Sequence, residues 1–111
     1  VLPDDKELLR GKCIIAIGSY MPEMREIPDA VLDLVDNVYI ELPYACEESG
    51  DLSKPLASGK LTKDRIKLMH EYLVSGEKEI KEGQTTYFKS VGMGLFDVCI
   101  AQKLYEVAKE K

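Results

Sequence analysis

The fold is decided by the stretch Thr85-Thr86-Tyr87-Phe88-Lys89-Ser90-Val91-Gly92-Met93-Gly94. Its first half is β-branched and aromatic, which is typical of a β-strand, and the strand is predicted to end at Lys89-Ser90. The glycines then turn the chain into an apolar segment, residues 94–109, that is long enough for a helix. A strand, a short turn and a helix in this order are typical of an α/β protein.

Two further strands are predicted upstream of this stretch. Residues 12–17 contain a continuous apolar run that ends at Gly18-Ser19, and we expect a strand buried on both faces. Residues 38–42 have strand chemistry, and Pro43 ends them because proline has no N–H to give to a sheet. Between these strands, residues 28–36 have the apolar period of a helix.

The middle of the chain is predicted to hold a loop, a helix and a second loop. Residues 45–60 mix acids, glycines and a proline, which indicates a loop with a short helical turn at residues 45–49. Residues 61–74 are predicted to form an amphipathic helix packed on the sheet, with an apolar stripe made by Ile66, Met69 and Leu73. Residues 75–83 read as a charged loop.

The last helix, residues 94–109, is apolar on nearly every side in its first turns. Such a helix needs cover on more than one side, so we expect it to dock on a domain or a partner chain outside these residues. Taken in order, the elements predict a three-layer α/β fold. It would consist of a parallel sheet of about three strands, flanking helices and the C-terminal apolar helix.

Length and composition indicate one globular domain. A chain of 111 residues with 45% hydrophobic residues can pack one core and is too short for two. Acids and bases are interspersed and the net charge is −5, which argues against a nucleic-acid partner because phosphate binders usually carry a basic face. No apolar run approaches the roughly 20 residues that cross a bilayer, so we expect no membrane association and a cytoplasmic location.

The cysteine and histidine pattern argues against several kinds of site. Cys13, Cys46 and Cys99 are an odd number at wide spacing, and His70 is the single histidine, so neither a disulfide framework nor a metal site is predicted. We expect each cysteine to be a small buried hydrophobic residue and His70 to be solvated. One histidine within a helix cannot support a Ser-His-Asp triad, and the adjacent acids Glu47-Glu48 are typical of solvated side chains.

A glycine-rich phosphate loop is also absent from the sequence. Gly92-Met93-Gly94 follows a strand and opens a helix, but the third glycine position is Asp97, whose carboxylate would face a pyrophosphate. The remaining candidates are two loops, residues 18–25 and 89–92, each at the carboxyl end of a predicted strand. In a parallel sheet both loops open on one edge, where ligands of α/β proteins bind.

Several segments, in order along the chain, resemble the ornithine cyclodeaminase/mu-crystallin family. They are Ile17-Gly18-Ser19 with Pro22, Arg25-Glu26-Ile27, Glu47-Glu48-Ser49-Gly50-Asp51-Leu52, Phe88-Lys89-Ser90-Val91-Gly92 with Asp97, and Ala101-Gln102-Lys103-Leu104-Tyr105. The resemblance implies that residues 1–111 are a single partial domain, the C-terminal half of a Rossmann NAD(P)-binding domain. In that family the last helix returns to a substrate-binding and dimerisation domain.

The resemblance also implies a set of cofactor-binding residues. Gly18 and Ser19 would lie by the nicotinamide end of NAD or NADP, and Ser90 and Val91 would approach its carboxamide. Lys89 completes the set, at a position where cyclodeaminases tend to have aspartate and mu-crystallin-like members have lysine.

Tyr20 is the departure from the family that bears most on activity. It stands where cyclodeaminases and related alanine dehydrogenases have an aspartate thought to act in catalysis, so no catalytic residue is assigned here. The resemblance therefore favours a reductase or dehydrogenase of the mu-crystallin kind, acting on amino or imino acids.

The chain starts at Val1 rather than at a methionine, which predicts a processed or truncated N-terminus. The family's phosphate turn and its substrate-binding arginines and lysine would precede Val1, so weak or absent cofactor binding is expected for this chain alone. One hypothesis is the C-terminal portion of an NAD(P)-dependent enzyme, with its missing N-terminal half or a second copy as partner. The alternative is a non-enzymatic half-Rossmann module that self-associates and serves as an interaction or small-molecule-binding protein.

Overall fold

The computed structural model describes residues 1–76 and 80–111. Part of the predicted loop at residues 75–83 therefore lies outside the described residues. Within the described ranges the prediction of an α/β fold is confirmed, because every strand pair is parallel and helices separate the strands along the chain.

The sheet has four strands rather than about three. They are β1 (Cys13–Ala16), β2 (Val38–Ile40), β3 (Ile66–Leu68) and β4 (Thr86–Lys89), and their order across the sheet is β1-β4-β2-β3. The last strand in sequence thus inserts between the first two. In this register Tyr87 lies beside Ile14 on one side and beside Val38 on the other.

One face of the sheet carries the hydrophobic core. Four helices contribute to it: α1 (Lys6–Leu9), α2 (Asp29–Leu34), α3 (Ala45–Glu48) and α4 (Gly50–Ser58). The buried cluster combines sheet residues with residues of these helices and their flanks, namely Leu9, Ile14, Ala16, Ile27, Ala30, Val31, Leu32, Val35, Val38, Ile40, Ala45, Leu52, Leu61 and Tyr87.

The opposite face of the sheet is covered only in part. Helix α5 (Met69–Ser75) packs there, with the Tyr72 ring 5.2 Å from the ring of Tyr39 on β2. At the β1 edge Ile15 is 64% exposed and Ile17 is 73% exposed. The expectation that this strand is buried on both faces is therefore wrong, because β1 is an edge strand and the described residues leave its outer face open.

The predicted helix at residues 61–74 is also wrong for its first half. A 3-10 turn (Lys63–Arg65) leads into β3, and only then does the short helix α5 begin. Ile66 and Leu68 are two residues apart and pack against the core from a strand paired with β2, so the tertiary pairing overrides the helical period.

In the segment at residues 45–60, the predicted helical turn at residues 45–49 is confirmed by α3, but the loop predicted after it is wrong, because α4 forms there. Ser49 caps α4, because its hydroxyl accepts the N–H of Asp51 at 3.2 Å, and Gly59 ends the helix at a φ of +80°. Pro55 lies inside α4 with its ring buried. The two caps and the buried apolar face thus outweigh the proline and the acids that suggested a loop.

The C-terminal helix α6 (Gly94–Lys109) has the predicted bounds and buries none of its residues within the described chain. No helix among the described residues is long and apolar enough to cross a membrane.

His70 is exposed, as expected. The expectation for the cysteines is wrong for two of them, because Cys13 and Cys99 are exposed on β1 and α6, while Cys46 is half-buried.

Candidate functional site

The two loops that the sequence singled out lie side by side. Since β1 and β4 are parallel neighbours, the loops that follow them leave the same edge of the sheet. The backbone N–H of Ser90 donates to the carbonyl of Ala16 at 3.0 Å, which continues the ladder to this edge. We call residues 17–28 the first rim loop and residues 90–93 the second rim loop.

The first rim loop is folded back on itself. The N–H of Gly18 donates to Oε1 of Glu26 at 2.9 Å, and a Cβ on Gly18 would lie 2.5 Å from Oε2 of the same carboxylate. The buried Ser19 hydroxyl donates to the carbonyl of Met24 at 2.7 Å and lies 2.8 Å from the Ser49 hydroxyl. The Ser19 side chain therefore stabilises the loop. The residue is only 1% exposed, so contact of Ser19 with a cofactor stays a prediction.

The same loop is fastened to the start of α4. The N–H of Gly50 donates to the carbonyl of Met21 at 3.0 Å. Oδ1 of the buried Asp51 accepts the N–H of Glu26 at 2.7 Å and the N–H of Ile27 at 2.9 Å. A Cβ on Gly50 would come within 2.1 Å of a loop carbonyl, so the close approach requires glycine here.

Lys89 lies under this loop, at the end of β4. Its side chain is fully buried, with Nζ 3.4 Å from Oδ2 of Asp51 and 3.7 Å from Oε1 of Glu26. Lys89 was predicted to bind the cofactor, and the structure directs its ammonium group towards two internal carboxylates. Direct contact with a cofactor stays a prediction.

Tyr87 shares the buried face of β4 with Lys89. Its hydroxyl is buried and has no hydrogen-bond partner among the described residues. Burial, followed by the charges of Asp51 and Glu26, raises the pKa of the phenol, so Tyr87 is held in its neutral form.

The second rim loop is held by one carboxylate. Oε1 of the buried Glu41 accepts the N–H of Val91 at 2.7 Å and the N–H of Gly92 at 3.0 Å. It also accepts the Ser90 hydroxyl at 3.1 Å, and the Tyr44 hydroxyl donates to the carbonyl of Gly92. Gly92 has a φ of +87°, which favours glycine.

Glu41 and Asp51 are the functional residues that sequence reasoning did not assign. Asp51 was quoted only as part of the family resemblance, and Glu41 only as the end of a predicted strand. A signal for Glu41 was present, because it is an acid placed directly after the fully buried strand β2, at the carboxyl edge of the sheet.

Tyr20 lies on the first rim loop and is 59% exposed. Its side chain is available at the surface of the rim. The interpretation that Tyr20 replaces a catalytic aspartate stays a prediction.

Among the described residues, no group of three His, Cys, Asp or Glu side chains is placed to hold a metal ion.

Open space adjoins the second rim loop, because a Cβ added to Gly92 would meet no atom within 4 Å. A pyrophosphate usually sits at a helix N-terminus with free N–H groups. The first turn of α6 carries the acid Asp97, whose negative charge disfavours a phosphate there.

Comparison with known proteins gives a consistent family match. The sequence profile of the ornithine cyclodeaminase/mu-crystallin family matches residues 4–111. A Delta(1)-pyrroline-2-carboxylate reductase from Bacillus cereus is 36% identical over 109 residues, which covers 96% of this chain and 34% of that protein. Protein SAR DEFICIENT 4 from Arabidopsis thaliana is 32% identical over 98 residues, covering 86% of this chain and 30% of that protein. The chain thus spans about a third of the length of these relatives.

Two solved structures share the fold. A probable ornithine cyclodeaminase from Bordetella pertussis Tohama I superposes with a TM-score of 0.75 at 28% identity, covering 92% of this chain and 33% of that one. Delta(1)-pyrroline-2-carboxylate reductase from Thermococcus litoralis, in complex with NADH and L-proline, gives 0.74 at 24% identity, covering 91% and 32%. At 24% identity, the second likeness shows the fold alone.

Proposed function

The chain belongs to the ornithine cyclodeaminase/mu-crystallin family, and on that premise we propose that it is the nicotinamide-side third of an NAD(P)-dependent oxidoreductase. The observation that carries the proposal is the pair of rim loops, which are held side by side at the carboxyl edge of a parallel sheet. The 36% identical relative is a pyrroline-2-carboxylate reductase, which favours a cyclic imino acid as the substrate class.

In this proposal the rim positions the nicotinamide ring. The exposed backbone of Gly18 would lie along the ring, with the buried Ser19 holding the loop beneath it, and Ser90 and Val91 would approach the carboxamide. Lys89 would act indirectly, by helping to hold the first rim loop in place. The bound cofactor would supply the hydride, and this chain's residues would hold the ring and exclude water from one side.

The exposed Tyr20 favours reduction over cyclodeamination in the complete protein. Tyr20 carries no carboxylate, so it lacks the group that a catalytic aspartate would supply. We therefore propose reductase or dehydrogenase chemistry on amino or imino acids.

The proposal includes a partner for α6. Exposed large hydrophobic residues run along the helix, including Leu95, Ile100 and Tyr105. We propose that α6 docks on the substrate-binding domain of the complete protein, or on a second copy in a dimer, and that the protein acts in the cytoplasm. This chain alone would bind the cofactor weakly and would be inactive, because phosphate contacts supply much of dinucleotide affinity.

A chimaeric enzyme tests the proposal. This chain would replace the matched third of the Bacillus cereus reductase, and the oxidation of NADH and NADPH would be followed with Delta(1)-pyrroline-2-carboxylate. We expect turnover, and we expect Gly18→Val to reduce it, because a side chain at this position collides with Glu26. The unaltered reductase serves as the positive control. A folded chimaera that neither binds nicotinamide cofactor nor turns over would contradict the proposal.

A second candidate function is a self-associating module without enzymatic activity. It is favoured by the apolar surface of α6 and by the open face of β1, where Ile15 and Ile17 are exposed. Sedimentation of this chain tests it, because a stable monomer across a wide concentration range would rule it out.

A further inference from the structure

We propose that Lys89 and Asp51 form a positioning pair that sets the conformation of the first rim loop, and through it the nicotinamide side of the rim. The role in cofactor placement rests on the proposed function. The role in holding the loop does not, because it follows from contacts within this chain.

Asp51 is the link between the sheet and the loop. One carboxylate oxygen accepts two consecutive backbone N–H groups of the loop, those of Glu26 and Ile27. The other oxygen, Oδ2, is buried, makes no hydrogen bond among the described residues, and faces Nζ of Lys89 at 3.4 Å. The loop is thus attached to an acid whose second oxygen is directed towards a lysine on β4.

Lys89 has few alternatives to this pairing. Its side chain is fully buried and its ammonium group makes no hydrogen bond among the described residues. Among the described residues, the carboxylates within 4 Å are that of Asp51, which accepts N–H groups of the first rim loop, and that of Glu26, which belongs to this loop. A buried charge without a partner is strongly unfavourable, so each member of the pair keeps the other in place.

The second carboxylate extends the effect to Gly18. Glu26 lies 3.7 Å from Lys89 and accepts the N–H of Gly18 through the same oxygen, Oε1. A change at Lys89 can therefore reach the Gly18 backbone through Glu26, and the Ile27 backbone through Asp51. The second rim loop depends on Glu41 instead, so the two loops have separate anchors.

Amide hydrogen exchange, measured by NMR on this chain, tests the pair. Three variants are compared with the parent: Lys89→Met, Asp51→Asn and the double variant. Methionine keeps the length of the lysine stem, and asparagine keeps an oxygen to accept the loop N–H groups. Val31→Ala, a core change in α2, is the control for general loss of stability.

We expect each single variant to speed the exchange of the Gly18, Glu26 and Ile27 amides about tenfold relative to those of Val91 and Gly92. The double variant should return to within roughly threefold of the parent, because removing both charges leaves no unpaired buried ion. Exchange that rises equally in both loops, as expected for Val31→Ala, would overturn the inference. The inference would also be overturned if the exchange rates of the double variant rise by the product of the two single-variant increases.

A parallel titration with NADH separates this inference from the proposed function. If the pair positions the nicotinamide side, Lys89→Met should weaken the NADH response of the chain at least about threefold, and the double variant should restore it. A selective change in exchange without any NADH response from the parent chain would count against the proposed function only. If the single variants are too unstable to measure, the double variant decides: a well-protected first rim loop supports the pair, and a selectively unprotected one contradicts it.

Discussion

The Glu41 carboxylate accepts the backbone N–H of Val91 at 2.7 Å, across the boundary between β2 and β4. The same oxygen also accepts the N–H of Gly92, so a buried acid of this chain occupies the two donors that an anion would otherwise use. The second rim loop is therefore fixed before any ligand arrives, and its N–H groups are not a phosphate site.

Replacing Glu41 by alanine should loosen this loop. The N–H groups of Val91 and Gly92 would lose their charged acceptor, which we expect to lower the free energy of unfolding by about 1–3 kcal/mol. Urea denaturation measures the loss of stability. Hydrogen exchange at the Val91 and Gly92 amides should speed up more, relative to the parent, than exchange at the Gly18 amide. Glu47→Ala, an exposed acid on α3, is the matched control and should change stability little. An unchanged midpoint for Glu41→Ala would contradict this role.

Arg65 stabilises the carboxyl end of α2. Its guanidinium donates to the carbonyls of Leu32 at 2.6 Å and Val35 at 2.8 Å, at a helix end that favours positive charge. Arg65→Met should therefore cost about 2 kcal/mol of stability in thermal or urea unfolding. The exposed Lys67→Met is the control. Equal effects of the two substitutions would show that the capping contacts contribute nothing.

Asp33 makes stability depend on pH in the acid range. Its hydrogen bond with Lys6, and then that with Lys60, lowers the pKa of Asp33 from 3.8 to about 2. Because the pKa in the folded state is the lower one, the stabilisation is fully present above 3.8 and is lost as the pH falls towards 2. The pairs are partly exposed, so the contribution is about 1 kcal/mol or less.

Asp33→Asn tests this dependence. The variant should be less stable than the parent at neutral pH. The difference in the free energy of unfolding should vanish as the pH approaches the folded-state pKa of Asp33, about 2. Urea midpoints measured across the range provide the comparison. A difference that stays constant down to the acid end would refute the assignment to Asp33.

The apolar surface of α6 should drive association. Ile100 and Leu104 are one helical turn apart and both are exposed, so Ile100→Glu with Leu104→Glu should abolish any dimer without unfolding the helix. Gln102→Glu with Lys103→Gln makes the same change in charge on polar positions and serves as the control. Sedimentation gives the mass and circular dichroism the helix content. If both double variants dissociate the chain equally, charge and not the apolar surface is responsible.

Sequence patterns predicted the elements that carry a local apolar pattern of their own. The strand at Val38–Ile40 and the helix at Gly94–Lys109 were found because their apolar runs have the length of a strand or a helix. The strand at Ile66–Leu68 was missed because three residues carry no period of their own. It exists through pairing with β2, which the sequence alone does not reveal.

The site was predicted at the level of loops and not of contacts. That two loops share one edge follows from a parallel sheet, and the structure confirms it. The anchoring of the second rim loop by Glu41 depends on β4 lying beside β2, a strand order that no local pattern indicates. The same order brings Lys89 beside an acid from α4, far away in sequence.

The central claim is that the rim recognises nicotinamide. The most direct measurement is an NMR titration of this chain with NADH and, in parallel, with ADP-ribose, which lacks the nicotinamide ring. We expect weak binding of NADH that shifts the amide signals of Gly18, Ser19, Ser90 and Val91, and no such shifts with ADP-ribose. Identical shifts with both ligands, or no shifts at the rim at millimolar NADH, would contradict the claim.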